Sequence, residues 1–75
     1  MTKPALAVVP TGLTSEEIEI LQLIANGKDN IEIAMIMKYD RPILVQRRVQ
    51  KVLEITSTAS RSAAIAWAMR RGLIE

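Results

Sequence analysis

Two capping boxes do most to restrict what this chain can fold into. Thr14 is followed three residues later by Glu17, and Asp29 three residues later by Glu32. In such a pair the first side chain accepts from a backbone N–H one turn on, while the glutamate reaches back to the first residue's own N–H. Each box therefore fixes a helix start. After the first box, Ile20, Leu21, Leu23 and Ile24 recur at helical spacing, and Gly27 offers a left-handed stop. Glu16, Glu17 and Glu19 suit the positive end of the helix dipole. The first helix is expected over about residues 15–26.

The second helix is short. Asp29 caps it, Ile33, Ala34 and Met37 form its inward face, and it must end near Lys38, because Pro42 restricts Arg41 and KYDRP reads as a turn. A third helix is expected to start at Asp40 as N-cap, with Pro42 in the first turn, where a missing N–H costs little. Val45, Val49, Val52 and Leu53 then recur at spacings of four and three and make one apolar face. Gln46, Arg47, Gln50, Lys51 and Glu54 fall on the other. After the linker TSTAS, Ser60 caps a fourth helix through RSAAIAWAMRR to Gly72. Its apolar face is Ala64, Ile65 and Ala68, and Arg70 and Arg71 complement its negative end. No strand-like alternation or repeat competes. The expected fold is all-α, four short helices around one core, with Leu21, Ile24, Ile33, Ala34, Val45, Val52, Ile65 and Leu73 buried together.

Seventy-five residues allow one domain. Cysteine and histidine are both absent, which excludes disulfides, the usual zinc ligand sets, and Ser-His or Cys-His nucleophile pairs. The acids sit at helix starts, where capping accounts for them. The chain reads as a protein without cofactor or metal, and not as an enzyme. No apolar run approaches the ~20 residues needed to cross a bilayer. Residues 1–12, MTKPALAVVPTG, are too short and too interrupted by Pro4 and Pro10 for a secretory signal. They read as a flexible N-terminal arm on a cytoplasmic domain spanning residues 13–75. The arm is either disordered or lays Leu6, Val8 and Val9 onto the domain or a partner.

Charge is unevenly placed. Residues 1–37 hold Lys3 and Lys28 against Glu16, Glu17, Glu19, Asp29 and Glu32. Residues 38–75 hold Lys38, Arg41, Arg47, Arg48, Lys51, Arg61, Arg70 and Arg71 against Asp40, Glu54 and Glu75. A basic half in a small domain is the footprint of a polyanion binder. The amide- and cation-rich face of the third helix is either an ordinary solvated face or one built to read a nucleic-acid groove.

From Leu13 to Ile74 the chain resembles the LuxR/GerE-type helix-turn-helix domain. The family's opening Leu-Thr-x-Arg-Glu-x-Glu-Val-Leu is matched by LTSEEIEIL, its Leu-Ile-Ala-x-Gly by LIANG, and its Asn-x-Glu-Ile-Ala by Asn30, Glu32, Ile33 and Ala34. Its closing elements correspond to Arg61, Ala64-Ile65 and Gly72-Leu73-Ile74. In the third helix the family's Thr-Val pair and following His become Leu44-Val45 and Arg48. Aligning this helix takes one extra residue in KYDRP, the register that keeps Val45, Val49 and Val52 inward.

The resemblance implies a DNA-binding transcriptional regulator whose third helix enters the major groove of double-stranded DNA. Gln46, Arg47 and Gln50 would then face base edges. Arg41, Arg48 and Lys51 would reach phosphates, with Lys28 and Asn30 as further backbone contacts aided by the N–H groups at the second helix start. Asn30 reads equally as a plain helix cap. It also implies a homodimer through the last helix, where Trp67 beside Ala63 is either the dimer anchor or a cover for the domain's own core.

Three positions depart from the family. Glu16 stands where it usually has Arg, Ile31 where it has a basic residue, and Ile55 where it has Lys. Ile31, Met35 and Ile36 make the second helix apolar almost all round, signalling either deeper burial or a patch for a partner. The alternative function is therefore a protein-binding modulator of another LuxR-type transcription regulator. Nothing else in the chain supplies a sensory domain, so it reads as a free-standing regulator or as one domain of a longer one.

Overall fold

The computed structural model describes residues 12–75. All but one residue of the expected N-terminal arm, and with it the placement of Leu6, Val8 and Val9, lies outside them. Four helices follow in order: α1 (Ser15–Ala25), α2 (Asn30–Met37), α3 (Ile43–Thr56) and α4 (Arg61–Arg70), with no strand among the described residues. The architecture is all-α.

Both capping boxes form. Thr14 Oγ1 accepts the Glu17 N–H at 3.1 Å, and Glu17 Oε1 accepts the Thr14 N–H at 2.9 Å. At α2, Asp29 Oδ1 accepts from Glu32 N–H at 2.8 Å and Glu32 Oε1 from Asp29 N–H at 3.0 Å. Ser60 caps α4 through the Ala63 N–H at 3.1 Å. Gly27, at φ +87°, ends α1 as expected, with the Lys28 N–H reaching Leu23 O at 3.0 Å.

The start of α3 differs from expectation. Asp40 caps nothing: Pro42 is itself the N-cap residue, already helical at φ −60°, ψ −27°, and no side chain bonds the helix start. The N-cap position falls two residues after Asp40, on a proline whose side chain carries no acceptor, so no capping carboxylate stands there. The Leu44 and Val45 N–H groups turn instead to the Arg41 and Pro42 carbonyls at 3.1 and 3.0 Å.

Nor does α2 need Pro42 to stop it. Lys38 enters the left-handed region at φ +61°, and the Tyr39 N–H closes the end on Ala34 O at 2.8 Å. Thr56, read as linker, is the last residue of α3; it is buried, and its hydroxyl donates to Val52 O at 2.8 Å. Ser57 then breaks the helix at φ +54°.

The core is two clusters rather than one. Leu13, Leu21, Val52, Ala64, Ala68 and Ile74 pack where α1, α3 and α4 meet. Ile20, Ile33, Ala34, Val45 and Val49 pack where α1, α2 and α3 meet. Consecutive residues Ile20 and Leu21 thus serve different clusters, and Leu53 borders both. Helices α1 and α3 form the spine, with α2 closing one side and α4 the other. Of the residues expected to be buried, Ile24, Ile65 and Leu73 are only half-buried.

Full burial falls to Ile20, Ala64 and Ile74 instead. Ile74 turns inward because Gly72 reverses the chain at φ +68° and Gln22 grips the next backbone unit. The Gln22 amide donates to Glu75 O at 3.0 Å and accepts from Glu75 N–H at 2.8 Å.

Candidate nucleic-acid interface

Helix α3 is held by one face only. Val45, Val49, Val52 and Thr56 are buried, so the 100° step per residue turns Gln46, Arg47, Gln50, Lys51 and Glu54 outward. All five are exposed. This is the orientation expected from the register with one extra residue in the KYDRP turn. Ile43, 41% exposed, begins the same face, and Arg41 stands exposed in the turn before it. Arg41, Arg47 and Lys51 make no ion pair among the described residues, so an outward strip of cations and amides is free to meet a ligand.

Arg48 is placed differently from Arg47. It points from the flank of α3 toward α1, where its Nη2 lies 3.1 Å from Glu16 Oε1. The Tyr39 hydroxyl donates to the same carboxylate oxygen at 2.7 Å. Burial, reinforced by the hydrogen bond to Glu16 and its charge, pushes the Tyr39 phenol up to about 12. It therefore stays protonated and donating at any physiological pH.

Lys28 is exposed ahead of α2. Asn30 beside it is half-buried and is not the cap, a role Asp29 fills; its Oδ1 accepts Arg61 Nη1–H at 2.8 Å, tying α4 to α2. Two of the N–H groups at this helix start, those of Asp29 and Glu32, are occupied inside the capping box. The anion cradle expected there is thus reduced, with two carboxylates standing at its mouth.

On α4, Trp67 and Ala63 are half-buried. Trp67 packs against the α1–α3–α4 cluster, and the Arg71 guanidinium lies 4.0 Å from the ring centroid while donating to Trp67 O at 3.2 Å. Ile55 is half-buried against the same cluster. On α2 the outward side chains are Ile31, Met35 and Ile36, 61%, 74% and 47% exposed, which settles the earlier choice in favour of a surface patch. Sequence reasoning missed the Glu16–Tyr39–Arg48 and Asn30–Arg61 contacts. Their partners are too far apart along the chain for any helical spacing to reveal.

Residues 11–39 match the family of bacterial regulatory proteins, luxR family. Over these residues the chain is similar to the LuxR/GerE-type helix-turn-helix domain. The match runs through α1 and α2 and ends at Tyr39, so α3 and α4 are understood from their own geometry. No curated protein and no solved structure gives a match. LuxR/GerE-type domains belong to DNA-binding transcription regulators and are not catalytic units. Among the described residues no group of acids could hold a metal ion, and no helix is long and apolar enough to cross a membrane.

Proposed function

We propose that this LuxR/GerE-type domain is a sequence-specific DNA-binding regulator, acting in the cytoplasm or nucleoid, whose α3 lies in the major groove. The observation that carries the reading is the outward strip of α3: Gln46, Arg47, Gln50 and Lys51 exposed on one side, Val45, Val49 and Val52 buried on the other. Glutamine matches the adenine edge and arginine the guanine edge bidentately, while Lys51, Arg41 and Lys28 supply charge for phosphates. Three such contacts give a salt slope of about −2.7 per monomer, so affinity for random duplex falls roughly 40-fold between 50 and 200 mM salt. Titration at those two concentrations tests this, and absence of binding at 50 mM rejects it.

A second reading rests on the exposed Ile31, Met35 and Ile36: α2 docks on another LuxR-type regulator and modulates it. The same titration separates the two. Under the DNA reading, Ile31→Ser and Met35→Ser, which remove apolar surface without adding charge, bind duplex like wild type. Loss of regulatory function in these variants alone, with DNA binding absent throughout, transfers the assignment to the second reading.

Dimerisation through α4 belongs to the same proposal, with Trp67 and Ala63 at the contact and two α3 helices placed on two half-sites. Sedimentation equilibrium is expected to give twice the chain mass for wild type. Ala63→Glu, which puts a charge on that face, is expected to return the mass to a monomer. A monomeric wild type at all concentrations rejects the dimer.

A further inference from the structure

One arginine beside the exposed strip of α3 is already engaged by an acid of the same chain. Arg48 adjoins Arg47 and lies one turn before Lys51, between that strip and the buried valines, and its side chain remains 48% exposed. Glu16 reaches it from the first turn of α1 at 3.1 Å, and Tyr39 reaches Glu16 from the α2–α3 turn at 2.7 Å. Glu16 is not required to cap α1, because the buried Glu17 does that through the Thr14 N–H. Nor is it shielded from Arg48's surroundings, since 29% of its side chain is exposed. A carboxylate is thus held, by a hydroxyl that only donates to it here, against a cation on the flank of the outward-facing helix.

We propose that Glu16 is an internal competitor for phosphate: it holds Arg48 and lowers the positive potential beside α3, and Tyr39 is the positioning residue that aims it. This rests on the reading of α3 as a DNA-binding helix. For Arg48 to meet a phosphate it must leave Glu16, and the freed carboxylate then faces the polyanion within a Debye length, ~10 Å at 0.1 M salt. The domain consequently binds duplex more weakly, and releases fewer counterions, than its count of cations allows.

The test uses the full chain and a random 20-base-pair duplex, with fluorescence anisotropy across 50–200 mM salt. Glu16→Gln keeps the shape and an acceptor for Tyr39 but removes the charge. It is expected to tighten binding roughly twofold to fivefold at the lowest salt, the size of competition an exposed ion pair supports. Its log K against log salt is expected to steepen by about 0.9, one additional phosphate contact. The steepening is not expected when Glu16→Gln is combined with Arg48→Ala. Tyr39→Phe is expected to move binding the same way by less.

A purely structural tie between α1 and α3 would lower thermal stability without steepening the salt dependence. Unchanged or weaker binding by Glu16→Gln at the wild-type slope therefore overturns the proposal and leaves the DNA reading intact. A steepening that persists without Arg48 overturns it too. No binding by wild type at 50 mM salt overturns both. Glu16→Asp, which draws the carboxylate back by one methylene, reports the same release should Glu16→Gln fail to fold.

Discussion

Leu21→Ala is expected to remove about 2–5 kcal/mol of folding free energy, the cost of truncating a fully enclosed leucine. Leu21 is 0% exposed in the cluster where α1, α3 and α4 meet. Two of its cluster companions, Ala64 and Ala68, are alanines. Short side chains on α4 have little reach with which to fill the void, so the upper part of the range applies. A chain of 75 residues has a total stability of roughly 4–11 kcal/mol at the usual 0.05–0.15 kcal/mol per residue. One substitution therefore consumes a large share of it, and the melting temperature falls by at least about 8 °C. Met35→Ala, at a side chain 74% exposed on α2, provides the contrast and is expected to stay within about 0.5 kcal/mol. Paired thermal and urea melts followed by circular dichroism measure both. A Leu21→Ala loss below about 1 kcal/mol would mean that the α1–α4 contact is not closed as described.

What could be read from the sequence was chemistry confined to a few consecutive residues. Thr14 with Glu17 and Asp29 with Glu32 mark helix starts because donor and acceptor lie one turn apart, and both boxes form. The valine spacing in α3 gave its buried face, since a helix converts spacing directly into direction. Helix ends were less legible. Lys38 and Ser57 take left-handed conformations that cost a residue with a Cβ about 1–2 kcal/mol, so nothing in their chemistry announces the stop. Asp40 carries a capping side chain but stands two residues before Pro42, where the helical backbone begins, too early to serve as N-cap.

Periodicity also identifies an inward face without saying which neighbour it meets. That is why one expected core became two, with Ile20 and Leu21 diverging, and why Ile74 rather than Leu73 is enclosed. The candidate interface divides the same way. Gln46, Arg47, Gln50 and Lys51 were legible from the helical wheel, whereas the fate of Arg48 depended on Glu16, which only tertiary packing of α1 against α3 brings within reach.

Arg47→Ala and Lys51→Ala should separate sequence reading from charge on the exposed face of α3. Both side chains are exposed and neither makes an ion pair among the described residues, so neither change opens the core or strands a partner. Arg47 lies at the outward centre of the helix, opposite the buried Val45 and Val52, where a guanidinium meets a guanine edge with two parallel hydrogen bonds. Its removal is expected to cost about 1–3 kcal/mol at a preferred site, roughly 5- to 150-fold in Kd, and almost nothing on random duplex. The preference at that base position should relax accordingly. Lys51, a turn further along and nearer the flank, is a point charge suited to a phosphate oxygen. Its removal is expected to weaken all duplexes alike and reduce the salt slope by about 0.9. Selection of preferred duplexes from a random pool by wild type, followed by titration of the selected and random duplexes with each variant, measures both effects. Equal losses on selected and random DNA for Arg47→Ala would assign it to the backbone and move base reading to Gln46 and Gln50. No change for either variant would remove α3 from the interface altogether.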